Sequence, residues 1–172
     1  MLSDSALLGL PAPAKLNLFL HVVGRRPDGK HLLESVFTLI DLHDTIDLFR
    51  LEEPVVERTG DVIGNVEKDL CVRAARLLME TFDVRSGVRI HVEKRIPAGA
   101  GMGGGSSDAA TVLIGLNRLF GLGLSRSALM ELGERLGADV PFFIFGRTGF
   151  VEGIGEIITP LEIPPASYAV IS

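Results

Sequence analysis

The chain has little of several residue types that mark common classes of protein. Its 172 residues include no tryptophan, one tyrosine and one cysteine, Cys71. A single cysteine excludes an internal disulfide, and no group of cysteines and histidines has the spacing of a zinc site. The scarcity of aromatic side chains leaves few surfaces on which nucleic-acid bases could stack. These absences exclude disulfide-rich and zinc-finger folds and argue against a binder of single-stranded nucleic acid.

Charge and hydropathy argue against two further classes, general nucleic-acid binders and membrane-spanning proteins. With 17 basic residues against 22 acidic ones, the net charge is −5, so the chain lacks the basic face of a general nucleic-acid binder. A nucleotide needs only a local positive pocket and is not excluded. No apolar run reaches the roughly 18 residues of a membrane span. The length and the 47% hydrophobic content predict one folded cytoplasmic domain, with part of a second.

The segment 97–110, PAGAGMGGGSSDAA, carries the strongest functional signal. Five glycines lie between positions 99 and 105, and an apolar pattern at helical spacing follows from Val112 to Phe120. A glycine-rich entry to a helix leaves N–H groups without partners at a positive helix end, which favours a phosphate. A flexible linker with a serine cap is the alternative. The segment lies between a strand pattern and a helix expected to begin near Ser107, so we predict an anion site.

Two familiar phosphate-binding motifs do not fit this loop. Residues 99–104 satisfy G-x-G-x-x-G, but the dinucleotide fingerprint also needs a buried strand before it and an acidic residue about 20 positions later. Residues 88–96 alternate apolar and polar instead, and residues 121–125 contain no acid. No lysine follows the glycines, so the Walker motif is absent too. The loop is predicted to bind phosphate in another way.

Polar side chains lie on a predicted strand near the start of the chain. Over residues 14–23 the alternation places Lys15 and Asn17 on one face and the leucines on the other. A lysine and an asparagine two positions apart can converge on a ligand, although an ordinary solvated face is the alternative. His31 follows a turn predicted over residues 24–29, and a simple surface position is equally compatible with it.

Asp139 is the second conspicuous polar residue. It lies between the end of a predicted helix and the apolar run 141–145. A carboxylate in that setting is partly desolvated and needs a partner, or it caps a short helix. Local sequence leaves both interpretations open.

The remaining pattern predicts a mixed set of elements. Asp69 and Ser125 are expected to cap helices, Gly137 to end the second, and Cys71 to lie on a buried helix face. The expected elements are strands over 14–23, 42–51 and 88–96, a hairpin or excursion over 52–67, helices over 69–82 and 126–136, and a strand or hairpin over 148–158.

Four motifs in fixed order, PAPAKLNLFL, RRPDGKH, PAGAGMGGGSSDAA and GADVPFF, resemble the GHMP small-molecule kinases over residues 11–165. The resemblance implies an α+β fold with a mostly antiparallel sheet and a left-handed βαβ unit, an exception to the usual hand. It also implies that residues 1–160 form the N-terminal ATP-binding domain. Residues 161–172 would then begin a C-terminal domain that is largely absent from this chain.

The resemblance further implies the chemistry: ATP, carrying Mg²⁺, would phosphorylate a small molecule, most closely the 2-hydroxyl of a cytidine-diphosphate-linked methylerythritol used for isoprenoid precursors. Lys15 and Asp139 would be the catalytic pair, and Ser107 the protein oxygen near Mg²⁺. Asn17, Lys30 and His31 would belong to the substrate pocket, although the family usually has tyrosine where this chain has Lys30. The ATP phosphate loop would consist of Pro97, Ala98, Gly99, Ala100, Gly101, Met102, Gly103, Gly104, Gly105, Ser106 and Ser107.

Two alternatives stay open beside this hypothesis. One is another GHMP kinase of the homoserine or mevalonate type. The other is a non-catalytic nucleotide-binding domain that keeps the loop and has lost turnover. Partners other than a small molecule, such as nucleic acid or membrane, are not expected.

Overall fold

A computed structural model describes residues 5–171, which form a six-stranded sheet and four α-helices. The strands are β1 (Ala6–Arg25), β2 (His31–Leu51), β3 (Val56–Gly60), β4 (Gly87–Glu93), β5 (Gly149–Gly153) and β6 (Ile157–Pro160). The helices are α1 (Leu70–Thr81), α2 (Gly104–Leu119), α3 (Arg126–Glu134) and α4 (Val140–Phe145). None of the helices in this described part of the chain is long and apolar enough to cross a membrane.

Strand β2 organises the sheet. It pairs antiparallel with β1 along nearly its whole length, while its other edge pairs with β5 at the start and with β4 at the end. Along the sheet the strand order is β3-β4-β2-β5-β6, with β1 paired to β2 outside this path. Strands β5 and β6 form the hairpin expected over residues 148–158. The sheet is therefore mostly antiparallel, as predicted.

The exception is the pair β3 and β4, which run parallel. The prediction of a hairpin or excursion over residues 52–67 is wrong in this respect, because β3 joins β4 only after the chain has crossed through α1. Parallel neighbours need such a crossover connection. The chain thus contains a βαβ unit, and the left-handed crossover stays a prediction.

Local signals set the helix starts. The Asp69 carboxylate accepts a hydrogen bond from the Cys71 N–H at 2.7 Å, and the Ser125 hydroxyl accepts one from the Ala128 N–H at 3.2 Å. Both predicted caps are confirmed, and Cys71 is buried as expected. Helix α3 ends at Glu134 rather than 136, because the next two N–H groups bond three residues back and tighten the last turn.

Helix α2 packs directly over the sheet. A Cβ on Gly115 would lie 2.4 Å from Cδ1 of Leu48, so the absence of a side chain allows this close approach. The core between the layers comes from alternate positions of β2 and β4 and from the inner faces of α1 and α2. Its members include Ile46, Leu48, Val88, Ile90, Val92, Leu78, Val112, Leu113 and Leu116.

The last described segment has no regular structure. Strand β6 ends at Pro160, and residues 161–171 form neither helix nor strand. The predicted domain boundary at residue 160 coincides with the end of β6 and stays a prediction.

Candidate functional site

Residues 97–105, called the glycine loop below, form much of the wall of a cavity of about 260 Å³. Every residue from Ile96 to Gly105 lines it, so residues 97–105 of the predicted phosphate loop lie at the cavity. The side chains of Arg58, Lys94 and Asp108 complete part of the wall. Ser106 and Ser107 follow in the first turn of α2 rather than at the wall.

Helix α2 begins at Gly104, three residues before the predicted start at Ser107. Gly103 makes this possible because its φ of 70° is a conformation that side-chain-bearing residues rarely adopt. No side chain caps the helix. The N–H groups of Gly104, Gly105 and Ser106 therefore have no partner within the helix, at the end where the helix dipole is positive, whereas the Ser107 N–H donates to the carbonyl of Gly103. This geometry suits an anion at the cavity.

Lys15 and Asp139 meet beside the loop. The Lys15 ammonium lies 3.3 Å from Oδ2 of Asp139 and 2.8 Å from Oδ1 of Asn17. It also lies 3.7 Å from the centroid of the Phe37 ring, a cation–π contact. The Lys15 N–H donates to the carbonyl of Met102 at 3.0 Å, so the backbone of β1 is bonded to the glycine loop. The structure thus brings Lys15, Asn17, Asp139 and the loop together.

The two charged groups differ in exposure. The Lys15 side chain is 4% exposed and the Asp139 side chain 35%. Burial lowers the pKa of Lys15 below its usual value, against the opposing effect of the Asp139 carboxylate. The pair therefore presents an open carboxylate held in place by a desolvated ammonium, an arrangement able to bind and deprotonate a hydroxyl group.

Asp139 does not act as a helix cap. It occupies the position before α4, but its side chain makes no capping hydrogen bond. The carboxylate pairs with Lys15 instead. Of the two interpretations left open by the sequence, the structure supports the partnered carboxylate.

A break in strand alternation brings Lys15 inward. Ala14 and Lys15 are both buried, although neighbours on a regular strand face opposite ways. The register of β1 against β2 shifts between Pro13 and Lys15, and such irregularities re-aim side chains. The alternative of a solvated lysine face is wrong for Lys15. On the opposite face, Leu18 and Leu20 are 42% and 47% exposed.

Lys30 and His31 lie elsewhere, at the turn that joins β1 to β2. Both are exposed, and His31 pairs with Arg25 in the strand register. Arg25 lies ten positions after Lys15 in β1. The Lys30 N–H donates to the Asp28 carboxylate and His31 pairs with Arg25, so the contacts of these two predicted substrate residues are with the turn and not with the Lys15–Asp139 pair.

A buried charge cluster beside the loop was missed by the sequence reasoning. The Lys94 ammonium bonds to Oδ2 of Asp44 and, at 2.7 Å, to Oδ2 of Asp108. A signal existed, because Asp44 has the same strand parity as the core residues Ile46 and Leu48. A carboxylate on a buried strand face requires partners.

Two oxygen atoms near the start of α2 are buried without a hydrogen-bond partner within residues 5–171: the Ser107 hydroxyl and Oδ1 of Asp108. Over the same residues no group of three or more histidine, cysteine, aspartate or glutamate side chains could hold a metal ion by itself.

Comparisons with known proteins agree with this geometry. Residues 69–147 match the family described as GHMP kinases N terminal domain. The chain is 59% identical, over 94% of its length, to 4-diphosphocytidyl-2-C-methyl-D-erythritol kinase of Ralstonia pickettii. It spans 56% of that relative's length.

Solved structures give the same picture of the fold. A crystal structure of 4-(cytidine 5'-diphospho)-2C-methyl-D-erythritol kinase is 42% identical and superposes with a TM-score of 0.77, over 92% of this chain and 56% of that one. Homoserine kinase from Cytophaga hutchinsonii superposes with a TM-score of 0.69 over 95% of this chain and 54% of that one. Its identity of 18% shows a shared fold alone.

Proposed function

We propose that this chain is a member of the GHMP kinases and that it provides the ATP-binding and phosphoryl-transfer groups of a small-molecule kinase. The proposed acceptor is the 2-hydroxyl group of 4-diphosphocytidyl-2-C-methyl-D-erythritol, which the relatives' name supplies. The reaction would take place in the cytoplasm and serve the synthesis of isoprenoid precursors.

One observation carries this proposal. The Lys15–Asp139 ion pair lies next to a glycine loop whose helix end suits a phosphate. Phosphoryl transfer asks a protein mainly to position the reactants and to stabilise charge, and these two features supply both needs in one place. A nucleotide-binding domain without turnover would need the loop but not the pair.

The start of α2, Asp139 and Lys15 have separate roles in the proposed reaction. The N–H groups at the start of α2 hold the phosphates of ATP. The Asp139 carboxylate accepts the proton of the acceptor hydroxyl while the oxygen of that hydroxyl bonds to the γ-phosphorus of ATP. The bond from that phosphorus to the bridging oxygen breaks, and ADP leaves. The Lys15 ammonium holds the Asp139 carboxylate in place and stabilises the developing negative charge on the acceptor oxygen.

ATP would bring Mg²⁺ to the site. When bound, the ion neutralises charge on the phosphates. Mg²⁺ in such sites is usually held by one or two protein oxygens together with substrate phosphates, so a complete protein cage is not required. The proposed nearby protein oxygen is the Ser107 hydroxyl, which has no partner within the described residues. It is buried in the first turn of α2 and does not line the cavity, so it would have to turn toward the phosphates.

The acceptor would contact Asn17, Lys30 and His31. Asn17 lies at the reacting end, where its side chain already bonds to Lys15. Lys30 and His31 would meet the cytidine end of an extended substrate, at the turn between β1 and β2. A lysine at position 30 offers a charge where the family usually offers an aromatic ring, so recognition there would rely on hydrogen bonds and charge rather than stacking.

A substrate panel tests the proposal. This chain is incubated with Mg-ATP and 4-diphosphocytidyl-2-C-methyl-D-erythritol, with homoserine and mevalonate as control acceptors and a full-length relative as positive control. We expect ADP release with the cytidine substrate alone. Turnover with homoserine or mevalonate would favour another GHMP kinase, and ATP binding without turnover would favour a non-catalytic nucleotide-binding domain. No ATP binding would refute the proposed role of the loop.

A further inference from the structure

Asp44 is a buried carboxylate that lies behind the glycine loop. It sits in β2 with no exposed surface and is not part of the cavity wall. Its Oδ1 accepts hydrogen bonds from the main-chain N–H groups of Arg95 and Ile96, the latter at 2.9 Å. Its Oδ2 accepts one from the Lys94 ammonium. All three donors belong to the segment that leads from β4 into the loop.

These contacts explain how a charge is tolerated there. A buried carboxylate is costly unless it is paired and hydrogen-bonded. Burial alone would raise the pKa of Asp44, but the N–H groups of Ile96 and Arg95 and the Lys94 ammonium hold that pKa below its usual value. The carboxylate therefore stays ionised. It accepts hydrogen bonds from two successive N–H groups shortly after β4 ends at Glu93.

Lys94 connects the Asp44 carboxylate to the cavity wall. Its ammonium also bonds, at 2.7 Å, to Oδ2 of Asp108, the fifth residue of α2. A Cβ placed on Gly104 would lie 3.3 Å from the same ammonium nitrogen, so the charge sits at the first residue of the helix. Lys94 itself lines the cavity. The ammonium, bonded to two carboxylates, is thus fixed where the loop and the helix end converge.

We propose that Asp44 is a positioning residue for the nucleotide phosphates: it fixes the start of the glycine loop through the N–H groups of Arg95 and Ile96 and holds the Lys94 ammonium at the N-terminus of α2. This inference rests on the proposed function, since it concerns the phosphates of bound ATP. It predicts that a residue outside the cavity controls affinity for phosphate and leaves affinity for the nucleoside unchanged.

The test compares ATP with adenosine. Asp44→Asn keeps the shape of the side chain but removes its charge and gives Lys94 a neutral partner. By calorimetry in Mg²⁺ buffer we expect the Kd for ATP to rise at least ~10-fold and the Kd for adenosine to change less than ~2-fold. Glu57→Gln is the matched control, because it removes an acidic charge from an exposed pair with Arg89 on the same sheet. It should change neither Kd.

Amide hydrogen exchange gives a readout that needs no nucleotide. In Asp44→Asn the N–H groups of Arg95 and Ile96 should exchange faster, while those of Val88, Ile90 and Val92 in β4 keep their protection. A folded variant that weakens ATP and adenosine equally, or leaves exchange at Arg95 and Ile96 unchanged, would overturn the inference.

Lys94→Met decides the matter if Asp44→Asn does not fold. It removes the ammonium that Asp44 holds at α2 and leaves the N–H groups of Arg95 and Ile96 bonded to Asp44. The same selective loss for ATP is therefore expected, with exchange at Arg95 and Ile96 unchanged. An unchanged Kd for ATP, or an equal loss for adenosine, would overturn the inference. If the unmutated chain does not prefer ATP to adenosine, the proposed function fails, and the exchange result still decides whether Asp44 fixes the loop.

Discussion

Gly103 lies in the loop against both Phe143 of the aromatic core and Lys15 of the ion pair, and Gly103→Ala tests that packing. The φ of Gly103 is 70°. A Cβ there would lie 2.7 Å from Cζ of Phe143 and 3.4 Å from Cγ of Lys15. The Phe143 ring has little room to move, because it is 6% exposed and packs edge-on against Phe142 with centroids 5.4 Å apart. Alanine at position 103 should therefore be destabilising for two reasons.

The magnitude follows from these two terms. A left-handed backbone costs a residue with a side chain about 1–2 kcal/mol. Overpacking against an immobile ring costs about 1–3 kcal/mol more. Together they predict that Gly103→Ala lowers the free energy of unfolding by about 2–5 kcal/mol. Urea unfolding followed by circular dichroism measures this directly, provided the slope against urea is unchanged.

Gly101→Ala separates the two terms. Gly101 has a similar φ of 73°, but nothing lies within 4 Å of the position that a Cβ would occupy there. Only the backbone term should apply, so we expect a loss of about 1–2 kcal/mol. Equal losses in the two variants would refute the close contact between Gly103 and Phe143.

Three further predictions concern buried groups. Burial raises the pKa of Asp108 to about 7, against the opposing charge of Lys94. Its contribution to stability is therefore fully present below about pH 4 and is lost progressively as the pH rises to about 7, so Asp108→Asn should flatten the fall in Tm over that range. Asp69→Ala removes a helix cap and a buried ion pair with Arg58, and urea unfolding should show a loss of about 3–5 kcal/mol against about 1 for a cap alone. Burial raises the pKa of the Cys71 thiol well above its usual value, so Ellman's reagent at pH 8 should react with it only after unfolding.

Features set by neighbouring residues were predictable from the sequence. The spacing of apolar residues around Cys71 and the preceding Asp69 predicted α1 and its cap. The run of glycines before Val112 predicted a loop opening α2. Each depends on hydrogen bonds and burial within a few residues, which local patterns record.

Features set by distant residues were not predictable in the same way. β3 pairs with β4 across α1, and nothing within residues 52–67 records that pairing. Strand alternation could not show that Lys15 turns inward, because the register shift depends on how β1 meets β2.

The site shows the same division. The loop was found from its glycines, whereas the role of Asp139 stayed open until the structure placed it against Lys15. Asp44 could have been noticed, since it interrupts an apolar strand face, but its partners Arg95 and Ile96 are revealed only by the fold. Local sequence can indicate that a carboxylate is buried and therefore needs partners, but only the fold shows which residues those partners are.

The effect of Asp139→Asn on turnover and on ATP affinity tests the central claim most directly. Loss of a general base lowers kcat by about 10²–10⁴-fold, while the phosphate loop is untouched. We therefore predict that Asp139→Asn lowers kcat for the cytidine substrate at least ~100-fold and leaves the Kd for ATP within ~2-fold of that of the unmutated chain. Asp83→Asn, at an exposed pair with Arg85, is the control and should change neither. A near-normal kcat for Asp139→Asn would contradict the assignment of this pair as the catalytic centre.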